Sequence, residues 1–186
     1  MEFELDKSQK EIQKAVREFS KGRFDKEMIV ELAQKGEFPA KIWAEAAELG
    51  FSNIHYPDSL DGGGLGLFEY VLVAEELCRK DSTMGMAILF AGFGAECIFR
   101  FGGNSLAEKY LPPVIEGRMR ATAALFESGS RDDFSIVRTT AVADGDNWII
   151  NGSKTFVPNG VAAGFYIVLC HTDPAAHPTG KGLSLI

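Results

Sequence analysis

Three places in this 186-residue sequence carry residue types at spacings that could support chemistry. The first is the glycine-rich run at residues 57–67 (PDSLDGGGLGL), which suggests a phosphate loop. Its Gly62-x-Gly64 is followed by Leu67 where a third glycine is needed, no clear strand precedes it, and no GK[ST] is present. A nucleotide loop fails on that spacing, and a flexible helix-entry loop is expected instead. The second is His171, Asp173 and His177, which can be written as a metal site. Their loop shows no fourth ligand and no sign of rigidity, so no metal is expected. The third is the stretch 123–160, AALFESGSRDDFSIVRTTAVADGDNWIINGSKTFVPNG. It has the densest turn chemistry of the chain, and we read it as the cofactor-facing part of a β-domain.

The elements that must position this stretch divide into two kinds. Before it the pattern is helical. Ile12, Ala15, Val16 and Phe19 lie on one face of a helix over 6–21, with Asp6 and Gln9 as a capping box and Gly22 as its stop. A second helix is expected over 26–34, ending at Gly36, and a third from Pro39 as first residue to Gly50. Residues 68–80 form a helix apolar enough to be buried on most sides. Ser82 or Thr83 then caps a helix over 84–101. Its Gly85, Gly92 and Gly94 cost about 1 kcal/mol each against alanine, so something approaches this backbone closely: a neighbouring helix first, or a ligand chain. Asn104 caps a last helix, stopped by Pro112-Pro113.

After Gly117 the pattern changes to short runs rich in β-branched and aromatic residues: 120–126, 136–143, 147–150, 154–157 and 165–170. Asp144-Gly145-Asp146 and Asn151-Gly152 read as hairpin turns. The chain stops inside strand-like residues 183–186, which suggests a fragment or a chain completed by a partner. The fold class expected is α+β: a helical domain over 1–118, then an antiparallel β-barrel-like or sandwich domain over 119–186.

Composition removes several function classes. The net charge of −7 argues against a nucleic-acid or anionic-membrane partner. Cys78, Cys97 and Cys170 are far apart and odd in number, as expected of reduced thiols in a cytoplasmic protein. The N-terminus has no apolar signal region, and the run 84–95 is too short and glycine-rich to span a bilayer.

Motifs distributed along the whole chain resemble the N-terminal half of the acyl-CoA dehydrogenases. They are Phe38-Pro39 with Trp43 and Leu49-Gly50, Gly63-Gly64-Leu65-Gly66-Leu67, and Lys109-Tyr110-Leu111-Pro112 with Gly117. Glu127, Thr139, Ala141, Gly145-Asp146, Asn151-Gly152, Lys154 and Asn159-Gly160 then follow in order on the family's β-domain signature. The resemblance implies a helical domain, a β-domain, and FAD held between the β-domain and a C-terminal four-helix bundle that has no counterpart here. It implies α,β-dehydrogenation of an acyl-CoA thioester, electron transfer to an electron-transfer flavoprotein, and a homo- or hetero-oligomer. The family's catalytic base is expected in the missing bundle, so no catalytic residue is assigned here, and Glu127 does not match the base's position.

The same resemblance places Leu125, Phe126 and Phe156 against the flavin and Ser128 to Asp132 near pyrophosphate and pantetheine. Met84, Ile88 and Gly92 would line the acyl pocket with Ser128 beside them, which moves the glycine-bearing helix towards a ligand. Several positions depart from the family. Phe126 replaces a threonine, Ser128 a proline, Arg131-Asp132 a glycine-serine pair, and Pro158 the threonine of "W-I-T". Phe126 offers no hydrogen bond and Pro158 has neither hydroxyl nor amide hydrogen. Asp132 repels a pyrophosphate unless Arg131 offsets it, and a shifted register puts Ser130 in the serine's role. Two functions follow as expectations. One is an acyl-CoA dehydrogenase represented by its N-terminal half, inactive as this chain alone. The other is a non-catalytic, FAD-free subunit of an active homologue.

Overall fold

The computed structural model describes residues 4–129, 133–176 and 179–186. Helix α1 (Lys7–Arg23) starts at the expected capping box: Asp6 Oδ1 accepts from the Gln9 N–H at 2.8 Å and Gln9 Oε1 from the Asp6 N–H at 3.1 Å. Gly22 does not stop it. The chain leaves at Phe24, whose buried ring packs edge-on to Phe19, and that burial outweighs the glycine's preference for a terminus. Helix α2 (Lys26–Lys35) ends at Gly36 with φ 65, as its sequence requires. Pro39 precedes α3 (Ala40–Glu48) instead of opening it.

The loop at 57–67 is not a flexible entry. The N–H groups of Gly63, Gly64 and Leu65 donate to the carbonyls of Asn53, Tyr56 and Ile54 at 3.2, 2.8 and 3.0 Å. A Cβ on Gly62 would lie 2.3 Å from the Tyr56 carbonyl oxygen. These glycines serve backbone-to-backbone packing.

Helix α4 (Leu67–Lys80) leads to α5 (Ser82–Leu89), and the cap between them is Asp81, which accepts from the Met84 N–H at 2.9 Å; Ser82 and Thr83 are already inside the helix. The single helix expected over 84–101 is broken by a 3-10 turn at Phe90–Gly92, after which α6 covers Phe93–Phe101. By length and composition Ser82–Phe101 is apolar enough to cross a bilayer; here it is interrupted and packs within the fold. Helix α7 (Gly103–Ile115) begins before Asn104 and continues through Pro112 and Pro113. Both prolines sit in its last turns, and their carbonyls still accept from the N–H groups of Glu116 and Arg118.

Two apolar clusters form the core. One joins α1, α3, α4 and α5 through residues such as Val16, Trp43, Leu77, Met84 and Ile88; the other joins α6, α7 and the first strand through Ala95, Leu111, Ile115 and Ala121. The helical glycines divide accordingly. A Cβ on Gly85 would meet Cys78 of α4 at 2.7 Å, and one on Gly94 would meet the Thr122 carbonyl at 2.5 Å. A Cβ on Gly92 would meet nothing closer than 3.7 Å.

The strands are β1 (Ala121–Ala124), β2 (Thr140–Asp144), β3 (Asn147–Asn151), β4 (Phe165–His171) and β5 (Leu183–Leu185). Their order is β1-β4-β2-β3, with β5 also on β4. β1 and β2 pair with β4 in parallel, while β2–β3 and β4–β5 are antiparallel. The β-region is therefore an open mixed sheet, not an antiparallel barrel or sandwich. Hairpin signals report only neighbouring strands, and β1 reaches β4 across a long connection. A tight two-residue turn joins β2 and β3 at Gly145-Asp146, with Gly145 at φ 60. Asn151 instead closes β3 opposite Thr140, and no strand forms over 154–157.

Candidate functional site

The cofactor-facing stretch is assembled around one carboxylate. Glu127 is buried and accepts hydrogen bonds from the Arg138 N–H at 2.8 Å, the Thr139 N–H at 2.9 Å and the Thr139 hydroxyl at 2.5 Å. Lys154 Nζ reaches it at 2.8 Å and also donates to the Leu125 carbonyl at 3.2 Å. Burial pushes the Glu127 carboxyl up, but the bonds from Lys154, Thr139 and the two backbone N–H groups outweigh it and hold the pKa at about 2. The group is thus a fixed anion that ties together residues 125–127, 138–139 and 154–155. With its pKa at about 2 the carboxylate is a weak base near neutral pH.

That tie sets two backbones side by side, with the Thr155 N–H donating to the Phe126 carbonyl at 2.8 Å. The next residue, Phe156, has φ 51 and is 89% exposed. A left-handed backbone is costly for a bulky residue and persists only where its surroundings impose it. They do so here from both sides. Thr122 of β1 donates its hydroxyl to the Pro158 carbonyl at 2.6 Å, and Asn159 donates to the Ala87 carbonyl of α5 at 2.9 Å. The Phe126 ring packs at a tilt against Phe134, with centroids 5.8 Å apart.

Leu125, Phe126, Phe156 and Pro158 therefore belong to neighbouring segments of one apolar platform, with Ser128 exposed just beyond it. Ser130, Arg131, Asp132 and His177 lie outside the described residues. The platform fits the planar face of the FAD ring implied by the resemblance: an exposed aromatic side chain offers packing surface. Its hydrogen-bonding capacity is reduced, because the Phe126 side chain carries no donor and Pro158 carries none at all. The Thr155 hydroxyl is buried without a partner among the described residues.

The three residues expected along the acyl pocket separate. Met84 and Ile88 point into the first core cluster, at 2% and 0% exposure. Gly92 lines a cavity of about 290 Å³ between α4, α5 and α6. Met86, Leu89, Phe90 and Phe93 line the same cavity, with Ser52, His55, Tyr56, Leu67, Tyr70 and Glu96. His55 Nε2 lies 3.0 Å from Glu96 Oε2, and its ring sits 4.3 and 4.4 Å from those of Tyr56 and Tyr70. The His55 bond, together with Arg100, holds the Glu96 carboxyl below its usual range against the effect of burial. Burial and the Glu96 charge push the Tyr70 hydroxyl up to about 12 and raise Tyr56 as well. Nothing in the sequence marks His55 and Glu96 as partners: they are 41 residues apart, and neither belongs to a local motif.

Residues 6–118 match the family described as acyl-CoA dehydrogenase, N-terminal domain, and residues 122–186 match acyl-CoA dehydrogenase, middle domain. The chain is similar to acyl-CoA dehydrogenase FadE12 of Mycobacterium tuberculosis, 30% identical over 155 residues, or 83% of this chain and 39% of that protein. It is also similar to the CarC subunit of the caffeyl-CoA reductase-Etf complex of Acetobacterium woodii, 32% identical over 165 residues, or 88% and 44%. The crystal structure of an acyl-CoA dehydrogenase from Geobacillus kaustophilus covers 100% of this chain with 49% of its own, at TM-score 0.89 and 29% identity. The chain thus spans less than half the length of each of these relatives.

Proposed function

Because the chain belongs to the acyl-CoA dehydrogenase family, we propose that it forms the half of such an enzyme that bears the flavin platform and the acyl cavity. The observation that carries this reading is Phe156, an aromatic residue held at φ 51 and 89% exposed. Backbone strain of this kind clusters at active sites and ligand clamps. Leu125, Phe126 and Phe156 would hold the ring of FAD by packing. When bound, FAD supplies the hydride acceptor for the β-hydrogen of an acyl-CoA thioester. The residues of this chain orient the two reactants and exclude water, and the α-proton goes to a base outside it.

The similarity to CarC, a subunit of a caffeyl-CoA reductase-Etf complex, supports an electron-transfer flavoprotein as the redox partner. Val142 and Ile149 are opposite each other on one face of the β2–β3 hairpin and are 61% and 51% exposed, an apolar pair suited to a homo- or hetero-oligomer. The three free cysteines support a cytoplasmic location.

A second reading, an FAD-free subunit paired with an active homologue, is favoured by the platform's lost donors. Pro158 presents only its carbonyl, and Thr122 occupies that. The absorbance of the purified chain, titrated with FAD, separates the two. Stoichiometric uptake, weakened by Phe156→Ala, is the expected result. A colourless protein that takes up no FAD overturns the first reading and leaves the second.

A further inference from the structure

Helix α5 ends beside the acyl cavity, and its end leaves carbonyls to be satisfied. Met86, Ala87, Ile88 and Leu89 form the last turn before the 3-10 turn at Phe90–Gly92, where helical carbonyls run out of partners four residues on. The Phe90 N–H donates to the Met86 and Ile88 carbonyls, and the Tyr70 hydroxyl donates to that of Leu89 at 3.4 Å. The Ala87 carbonyl accepts from Asn159 Nδ2 at 2.9 Å, across 72 residues of sequence. Met86, Leu89, Phe90 and Tyr70 line the cavity, whereas Asn159 belongs to the loop that carries Phe156. That loop is fixed from its other side. Thr122 donates to the Pro158 carbonyl at 2.6 Å, the Tyr166 hydroxyl to the Gly160 carbonyl, and Arg120 Nε to the Ala162 carbonyl at 2.5 Å. These three bonds tie the loop to the sheet, and Asn159 ties it to the helices. Asn159 itself has φ 53. Glycine, asparagine and aspartate take a left-handed backbone most readily, and of the three only asparagine brings a side-chain donor.

Resting on the reading of this chain as the half that bears the flavin platform and the acyl cavity, we infer that Asn159 is a positioning residue that fixes the cavity wall at the end of α5 to the platform at Phe156. A chain packed on Met86, Leu89 and Phe90 restrains the last turn of α5. The bond from Asn159 to Ala87 passes that restraint to residues 156–159. Phe156, packed on FAD, restrains the same loop from the opposite end. Each ligand then meets a site that the other has partly ordered, so each tightens the other, and by linkage the factor is the same in both directions.

The test is fluorescence titration of the chain with FAD, alone and with saturating S-butyl-CoA, a thioether that has no carbonyl and so cannot be dehydrogenated. The thioether is expected to tighten FAD about tenfold. Asn159→Gly keeps the left-handed backbone and removes the donor. It should bring that ratio close to one and leave FAD affinity without the thioether little changed, because Thr122 and Tyr166 still hold the loop. Asn159→Asp keeps the backbone preference and the size but sets an acceptor against the Ala87 carbonyl, so it should lose the coupling too, and it decides the matter if Asn159→Gly does not fold. Variants that weaken FAD equally with and without the thioether keep the ratio, which makes Asn159 merely structural and overturns the inference. Coupling that survives unchanged in both variants belongs to direct contact between the ligands and overturns it as well. Equal FAD affinities in the wild-type chain, with calorimetry showing the thioether bound, overturn the inference and leave the reading beneath it standing. A chain that binds no FAD or no thioether overturns both.

Discussion

Glu76 in the helical region and Glu127 beside the sheet are buried to similar depth, yet they are held in different ways. Glu76, 1% exposed on α4, receives Arg17 Nε and Nη2 of α1 at 2.9 and 2.7 Å. Arg17 itself is 59% exposed, so its charge remains in water. Glu127 and Lys154 are 8% and 7% exposed, so both charges of that pair leave water. The difference follows from what each carboxylate connects. Helices α1 and α4 satisfy their own backbones, and one buried tether between them is an addition. Residues 125–127, 138–139 and 154–155 are largely irregular, and their N–H groups lack a continuous ladder. The carboxylate takes the place of that ladder, and its cation is buried with it. A tether and a keystone differ in what they leave behind when broken.

The largest expected effect is therefore Glu127→Gln. It strands a buried ammonium whose other bond here is to the Leu125 carbonyl, and it should cost about 3–5 kcal/mol in urea unfolding. FAD uptake should fall with it, because Phe126 and Phe156 lose their common support. A loss below 1 kcal/mol would show that the platform does not depend on this pair.

Acid is the next probe. The folded pKa of Glu127 is about 2 against an ordinary 4.5, so its contribution is complete above that ordinary value and disappears as pH falls towards 2. The interval corresponds to about 3 kcal/mol. Stability measured by urea titration across this window should fall steeply in the wild type and less steeply in Glu127→Gln. Identical slopes would remove Glu127 from the account of acid unfolding.

The contrast between the two regions also governs how much of the molecule its sequence disclosed. In the helical region the signals are local. Asp6 and Gln9 are three residues apart, Gly36 ends the helix that precedes it, and the structure follows both. Misreadings there arise where packing outweighs a local rule, as when Phe24 carries α1 past Gly22 or Asp81 caps in place of Ser82. Around the sheet the decisive partners are remote. Lys154 finds Glu127 across 27 residues, and Thr122 finds Pro158 across 36. A β-rich run at 154–157 therefore reads as a strand, although side-chain bonds hold it as a loop. The parallel pairing of β1 with β4 leaves no hairpin signature. Phe126, Phe156 and Pro158 could be singled out because the family pattern crosses them. His55 could not, because nothing local distinguishes a histidine that will face a cavity.

Glu76→Gln sharpens the comparison from the other side. It removes a tether but releases Arg17 into water, where the guanidinium needs no partner. The expected cost is about 1.5 kcal/mol, about half of that at Glu127 or less. Fluorescence-monitored urea unfolding of the two variants under one set of conditions gives the ratio directly. Equal losses would mean that burial of the carboxylate, and not burial of its cation, decides the cost.

The smallest effect lies within the keystone itself. Thr139→Val removes the hydroxyl that donates to Glu127 Oε1 at 2.5 Å and keeps the side-chain shape. The Thr139 and Arg138 N–H groups and Lys154 still hold the carboxylate, so about 1 kcal/mol is expected, near the low end for a bond to a charged group. The sharper readout is the carboxyl itself. With one donor fewer, the anion is less favoured in the fold and its pKa must rise from about 2 towards 4.5. The acid limb of the stability curve should then move to higher pH, and NMR titration of the Glu127 side chain should show the same displacement. A carboxyl that titrates where it did before would mean that Lys154 and the backbone alone hold the anion, and that Thr139 contributes packing without charge stabilisation.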